Sequence, residues 1–245
     1  MVRDESLVIC RSRLTMFIRY SIAANADEVA RRFSVDVPEG YQPRYNAAPT
    51  HLLPVITQES QKGISFFYWG APPSWANKKP LGEKIINTRA ELLPEKSVLR
   101  KKLREKRCLI PADGFYEWKK VGKRVSIPYR FTLKDKSQFC MAGLWEEYED
   151  VQDNMNHTFT VVTTEANESV APISERMPLI LPPDAEHAWL NSGDESELLS
   201  HLHPFSGPLD YYSVSPRVNS PEHNDRLVML PAPPADQFGN LTLFD

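Results

Sequence analysis

Glu117 is the first residue of this 245-residue chain whose setting suggests chemistry. It lies in Asp113-Gly114-Phe115-Tyr116-Glu117-Trp118, one carboxylate among three rings. Along a strand, side chains alternate, so Phe115 and Glu117 share one face while Tyr116 and Trp118 share the other. Neither is an ordinary solvated face. A carboxylate among aromatics is desolvated, which raises its pKa and suits it to donate a proton near neutral pH. Asp113-Gly114, set between two apolar runs, predicts a two-residue hairpin turn leading into this strand.

Four other short stretches carry polar groups in turn-bounded contexts: Arg44 to Pro49 (RYNAAP), Trp69 to Trp75 (WGAPPSW), Ile86 to Glu91 (INTRAE) and Ile173 to Pro178 (ISERMP). Each also has a plain structural reading. Asn46 could make only an Asx turn, and Asn87 or Thr88 could cap a following helix. Trp69 and Trp75 could be core aromatics, and Arg176 a surface ion-pair partner.

Several enzyme classes are excluded by what the chain lacks. There is no glycine-rich phosphate loop, no HExxH and no GxSxG elbow. His201 and His203 have the wrong spacing for helical metal ligands, so no metal and no cofactor is expected. Cys10, Cys108 and Cys140 form no CxxC pair and no even disulfide set, the pattern of reduced cytoplasmic thiols. No apolar run approaches the roughly 20 residues of a membrane helix. Residues 1–15, with their acids and one short apolar piece, make a poor secretory signal and read as a disordered extension, with Met16 a candidate initiator. The net charge is -3, yet Lys96 to Arg107 is densely basic and is opposed by a single acid. Such a run is either an electrostatic footprint or a solvated helix face.

The elements that must position these groups follow from periodicity. Helices are expected at Asn25–Phe33, Ala90–Glu105, Asp184–Leu190 and Glu195–His201. Strands are expected at Leu52–Ile56, Ile64–Trp69, Arg107–Ile110, Phe115–Lys119, Tyr129–Leu133, Phe139–Trp145, Thr158–Thr164 and Tyr211–Val214. Strand follows strand through the middle without helices between. That favours an α+β fold in a single domain, with a mainly antiparallel, barrel-like core and flanking helices. The domain is expected to span 16–228, with a loosely ordered tail over 229–245.

Taken together and in order, the polar stretches resemble the SRAP (SOS-response-associated peptidase) family of abasic-site sensors. The resemblance runs from Met16 to about Asn224 and rests on RYNAAP, WGAPPSW, NTRAE, DGFYEW and ISERMP. It implies a monomeric DNA-damage-response protein with a positively charged cleft for single-stranded DNA carrying abasic sites. In the family a cysteine exposed by methionine removal attacks the open-chain sugar aldehyde. Its amine forms a Schiff base, and its thiol closes a thiazolidine that crosslinks protein to DNA. By this resemblance Glu117 assists the proton transfers, since loss of water from the carbinolamine needs an acid. Trp75 and Trp118 offer planes for bases, Arg19, Arg89 and Arg176 pair with phosphates, and Asn46 and Asn87 line the pocket. The family's secure peptidase activity is removal of its own initiator methionine, which ranks a general protease low.

The chain departs from the family pattern at two positions. Met16-Phe17-Ile18-Arg19 puts Phe17 where the family has cysteine, and ISERMP puts Ser174 where it has histidine. Cys10 is internal and has no free amine to share in a thiazolidine. The substitutions leave open a binding module without crosslinking, a reversible amine-only Schiff base, or a decayed gene.

Overall fold

Alternating apolar positions in the centre of the chain become strands, and five of those strands close on themselves. The computed structural model describes residues 16–71, 85–122, 125–149 and 154–241. Its first strands are β1 (Tyr20–Ile22), β2 (Arg44–Ala47), β3 (Leu52–Thr57), β4 (Ser65–Trp69) and β5 (Asn87–Arg89). The central ones are β6 (Arg107–Ala112), β7 (Gly114–Val121), β8 (Val125–Leu133), β9 (Phe139–Glu149) and β10 (Met155–Glu165). Three short ones follow: β11 (Arg176–Pro178), β12 (Ile180–Leu181) and β13 (Leu209–Ser213).

β10, β4, β3, β6 and β9 pair in that order, and β9 returns to β10, closing a barrel. Pairing is antiparallel except where β10 runs alongside β4 and β5. A second sheet, in the order β13, β8, β7, β1, β2, lies against it. Inward residues such as Leu53, Val55, Trp69, Ile110, Phe159 and Val161 are fully or almost fully buried. Each such side chain contributes about 1.5–3 kcal/mol of burial. The mixed α+β, single-domain expectation is met.

The hairpin expected at Asp113-Gly114 is not there. β6 pairs with β3 and β9 in the barrel, whereas β7 pairs with β1 and β8 in the second sheet. The Asp-Gly pair is the point where the chain leaves one sheet for the other. Asp113 spends its carboxylate on tertiary contacts: Ser21 Oγ donates to it at 2.6 Å, the Ala23 amide donates to it, and Arg130 pairs with it at 2.9 Å. Gly114 is required for a matching reason. A Cβ there would stand 2.6 Å from Arg130 Nη2 and 2.7 Å from its Cζ. Gly114→Ala should therefore destabilise the fold by about 1–3 kcal/mol, read as a lower urea midpoint with an unchanged slope.

α1 (Ala26–Phe33) begins as expected, with Asn25 and Glu28 forming a reciprocal capping box. The single helix expected over Ala90–Glu105 is instead a 3₁₀ turn, Ala90–Leu92, followed by α2 (Ser97–Glu105). Pro94 has no N–H with which to carry the first turn onward. The basic run on α2 is largely matched by acids: Arg100 and Arg104 reach Glu195, Lys102 reaches Glu146, and Lys106 reaches Glu59 and Glu147. Arg107 is buried and donates to main-chain carbonyls, among them Leu103 and Ser192. This stretch is a paired helix face, the second of the two readings its composition allows.

α3 (Pro183–Asn191) and α4 (Glu195–Ser200) fall where periodicity placed them. The segment after Val228, expected to be loosely ordered, returns to the second sheet: Pro231 bridges Val214, and the Ala232 amide donates to Ser213 O at 3.0 Å. Among the described residues no helix is long and apolar enough to cross a membrane.

Candidate nucleic-acid interface

The start of the domain and the aromatic strand lie side by side. Tyr20 pairs with Phe115, and the Tyr116 amide donates to Arg19 O at 3.0 Å. A cleft of about 180 Å³ opens here, lined by Met16, Ile18, Arg19, Glu117, Trp118 and Asn219 among others.

Alternation on β7 holds. Phe115 packs into the main core, while Tyr116 and Trp118 join a separate apolar cluster with Val214, Val218 and Val228. Glu117 is only 6% exposed. Burial pushes its carboxyl up to about 8, against a downward pull from the Ser174 side chain and the Trp118 backbone. Its Oε1 has no hydrogen-bond partner among the described residues. At neutral pH the group is mostly a neutral acid.

Phe17 is 1% exposed, with its ring 5.5 Å from that of Trp69 and 6.0 Å from that of Phe115. It is a core residue. Its carbonyl accepts a hydrogen bond from Asn87 Nδ2 at 2.7 Å, which anchors the start of the domain to β5. Ser174 Oγ donates to Arg176 O at 3.0 Å beside the Glu117 carboxyl, so the position aligned with the family's histidine does adjoin the acid. Cys108 and Cys140 are buried in the barrel, where desolvation pushes both thiols up.

The remaining candidate residues divide by setting. Arg19 is 8% exposed, and among the described residues no carboxylate pairs with it. Its Nη1 donates to Ile18 O at 2.9 Å and its Nη2 to Asn219 O at 3.2 Å. Desolvation lowers its pKa to about 10, which leaves it cationic at neutral pH. Arg89 is exposed at the end of β5. Trp118 borders a second cleft of about 200 Å³, shared with Lys119, Lys120, Pro172 and Ser174.

Arg176 is buried and already engaged. Glu91 holds it at 2.8 and 3.0 Å, and Thr163 O accepts from it at 2.6 Å. Asn46 is fully buried below the cleft, and its Nδ2 faces the carbonyls of Val218, Ser220 and His223. Trp75 and Cys10 lie outside the described residues. Asn219, Ser126, Lys119 and Lys120 escaped sequence reasoning. Asn219 sits in a short 3₁₀ turn, Pro216–Asn219, with neither periodicity nor a motif to mark it.

Comparison with known proteins adds a consistent set of likenesses. Residues 16–221 match the family model described as SOS response associated peptidase (SRAP). The chain is 40% identical over 213 residues to a Bacillus subtilis (strain 168) protein described as abasic site processing protein YoqW, covering 84% of this chain and 95% of that one. It is 28% identical over 217 residues to the abasic site processing protein HMCES of Xenopus tropicalis, covering 75% of this chain and 64% of that protein. A crystal structure of a protein from Bacteroides thetaiotaomicron aligns with a TM-score of 0.75 and 29% identity, covering 88% of this chain and 99% of that one.

Proposed function

The chain belongs to the SOS response associated peptidase family, and from that premise we propose that it binds single-stranded DNA and senses abasic sites without forming a thiazolidine crosslink. One observation carries this reading: the buried acid Glu117 and the cation Arg19 flank the start of the domain, while Phe17 turns its ring into the core. An abasic aldehyde arriving there meets an acid and no thiol.

The surroundings support binding. Arg19 offers a buried positive charge that no acid among the described residues neutralises, which suits a phosphate. Trp118 offers an edge or face between two clefts, and base stacking on such a ring is worth about 1–3 kcal/mol. A protonated Glu117 adds no negative charge to repel the strand. A relative described as an abasic site processing protein is 40% identical over 84% of this chain. The proposal requires neither a metal nor a cofactor.

The test uses a fluorescent single-stranded oligonucleotide with and without one abasic site. At low salt the protein should bind both, more tightly with the site present. Affinity should fall as salt rises, with a log–log slope of about -0.7 per phosphate contacted. Denaturing electrophoresis should show no heat-stable shifted band. Such a band would overturn the non-covalent reading, and absence of binding at low salt would overturn the whole proposal.

A further inference from the structure

Asn219 joins the two side chains on which the proposed binding depends. Its Oδ1 accepts from Trp118 Nε1 at 2.8 Å, and its main-chain carbonyl accepts from Arg19 Nη2 at 3.2 Å. The indole N–H can only donate, so the amide oxygen must face Trp118 and the NH₂ must face away. That Nδ2 is buried without an acceptor among the described residues. A buried orphan donor costs free energy, about 1–3 kcal/mol. A residue chosen for stability alone would avoid that cost.

The turn that carries Asn219 is fastened from beneath. Asn46 Nδ2 lies 3.1 Å from Val218 O and 2.9 Å from Ser220 O, the carbonyls on either side of Asn219. Asn224 Oδ1 accepts from the amides of Tyr45 and Asn46 at 2.8 and 3.1 Å, which ties β2 to the same loop. A chain of amides therefore runs from β2 through the turn to the Trp118 ring.

Resting on the DNA-binding reading above, we propose that Asn219 is a positioning residue that fixes the Trp118 indole for stacking against the bound strand. Its side chain acts through Trp118, because the carbonyl that serves Arg19 survives any substitution at this position. Asn46 holds the turn and so acts one step further back.

A double-mutant cycle on single-stranded DNA affinity, with indole N–H exchange followed by ¹⁵N NMR, tests this. Asn219→Ala should weaken binding by about 5- to 10-fold, a part of the stacking energy of one base. In a Trp118→Phe background, which has no N–H to hold, the same change should cost less than about twofold. The Trp118 indole proton should exchange faster in Asn219→Ala and stay protected in Asn219→Asp, which keeps the acceptor. Equal losses in both backgrounds, or unaltered indole exchange in Asn219→Ala, would overturn the positioning role. Wild-type binding with undiminished affinity in Asn219→Ala would overturn it alone. Absence of DNA binding by the wild type would remove the functional reading as well, while the exchange measurement would still decide whether Asn219 holds the ring.

Discussion

A shortened chain that begins at Met16 and carries Phe17→Cys should give a heat-stable band with a single-stranded abasic oligonucleotide, where the parent chain gives none. Removal of Met16 would expose a cysteine amine next to the cleft that Ile18, Glu117 and Trp118 line. The amine adds to the sugar aldehyde, Glu117 protonates the carbinolamine oxygen, and water leaves to form the imine. The thiol then adds across the C=N bond and closes the ring. Phe17 packs against Trp69 and Phe115, so the change also empties part of the core. Full truncation of such a ring costs about 3–5 kcal/mol, and cysteine should cost less. The reaction is therefore run at low temperature on material whose near-ultraviolet circular dichroism matches the parent. Adding Ser174→His places an imidazole beside Glu117 and should speed band formation by about 10²-fold, the lower end of general acid–base contributions. A folded double variant that binds the oligonucleotide yet yields no band would refute the view that only the nucleophile and its partner are missing.

The same site shows how far local sequence carries. Strand alternation was legible because a half-buried sheet enforces it, and Phe115 and Tyr116 face the two cores that period 2 assigns them. The Asp-Gly pair was legible as a special backbone position, but its meaning was not. A hairpin and a sheet-to-sheet crossing begin with the same residues, and only the distant Arg130 and Ser21 distinguish them. Arg176 and Asn46 were singled out from their motifs, yet their settings depend on Glu91, Thr163 and the 218–223 loop. Asn219 could not be read at all, since its importance lies in two hydrogen bonds across the fold to residues 101 and 200 positions away. Chemistry placed on one strand can be seen in sequence; chemistry assembled by closure of a sheet cannot.

Glu117 should also make stability depend on pH in a way that Glu117→Gln removes. Its carboxyl has an ordinary value of 4.5 when exposed and about 8 in the folded chain. Below 4.5 both states hold the proton and the group contributes no difference. Between the two values the unfolded chain releases its proton while the folded chain keeps it, so the folded state binds more protons and stability falls as pH rises. The loss accrues at about 1.4 kcal/mol per pH unit and levels off above 8, where both forms are ionised. Its full size is on the order of 5 kcal/mol. Urea unfolding of the two proteins at pH 5, 7 and 9 isolates this group, because every other titration cancels in the difference. The curves should nearly coincide at pH 5, and by pH 9 the glutamine variant should be the more stable by several kcal/mol. DNA affinity should follow the same carboxyl: ionisation above 8 adds a negative charge beside the bound strand and weakens wild-type binding, while the variant stays flat. A pH-independent difference in stability would mean that Glu117 is not the neutral acid its burial implies, and the proton donor for aldehyde chemistry would have to be sought elsewhere in the cleft.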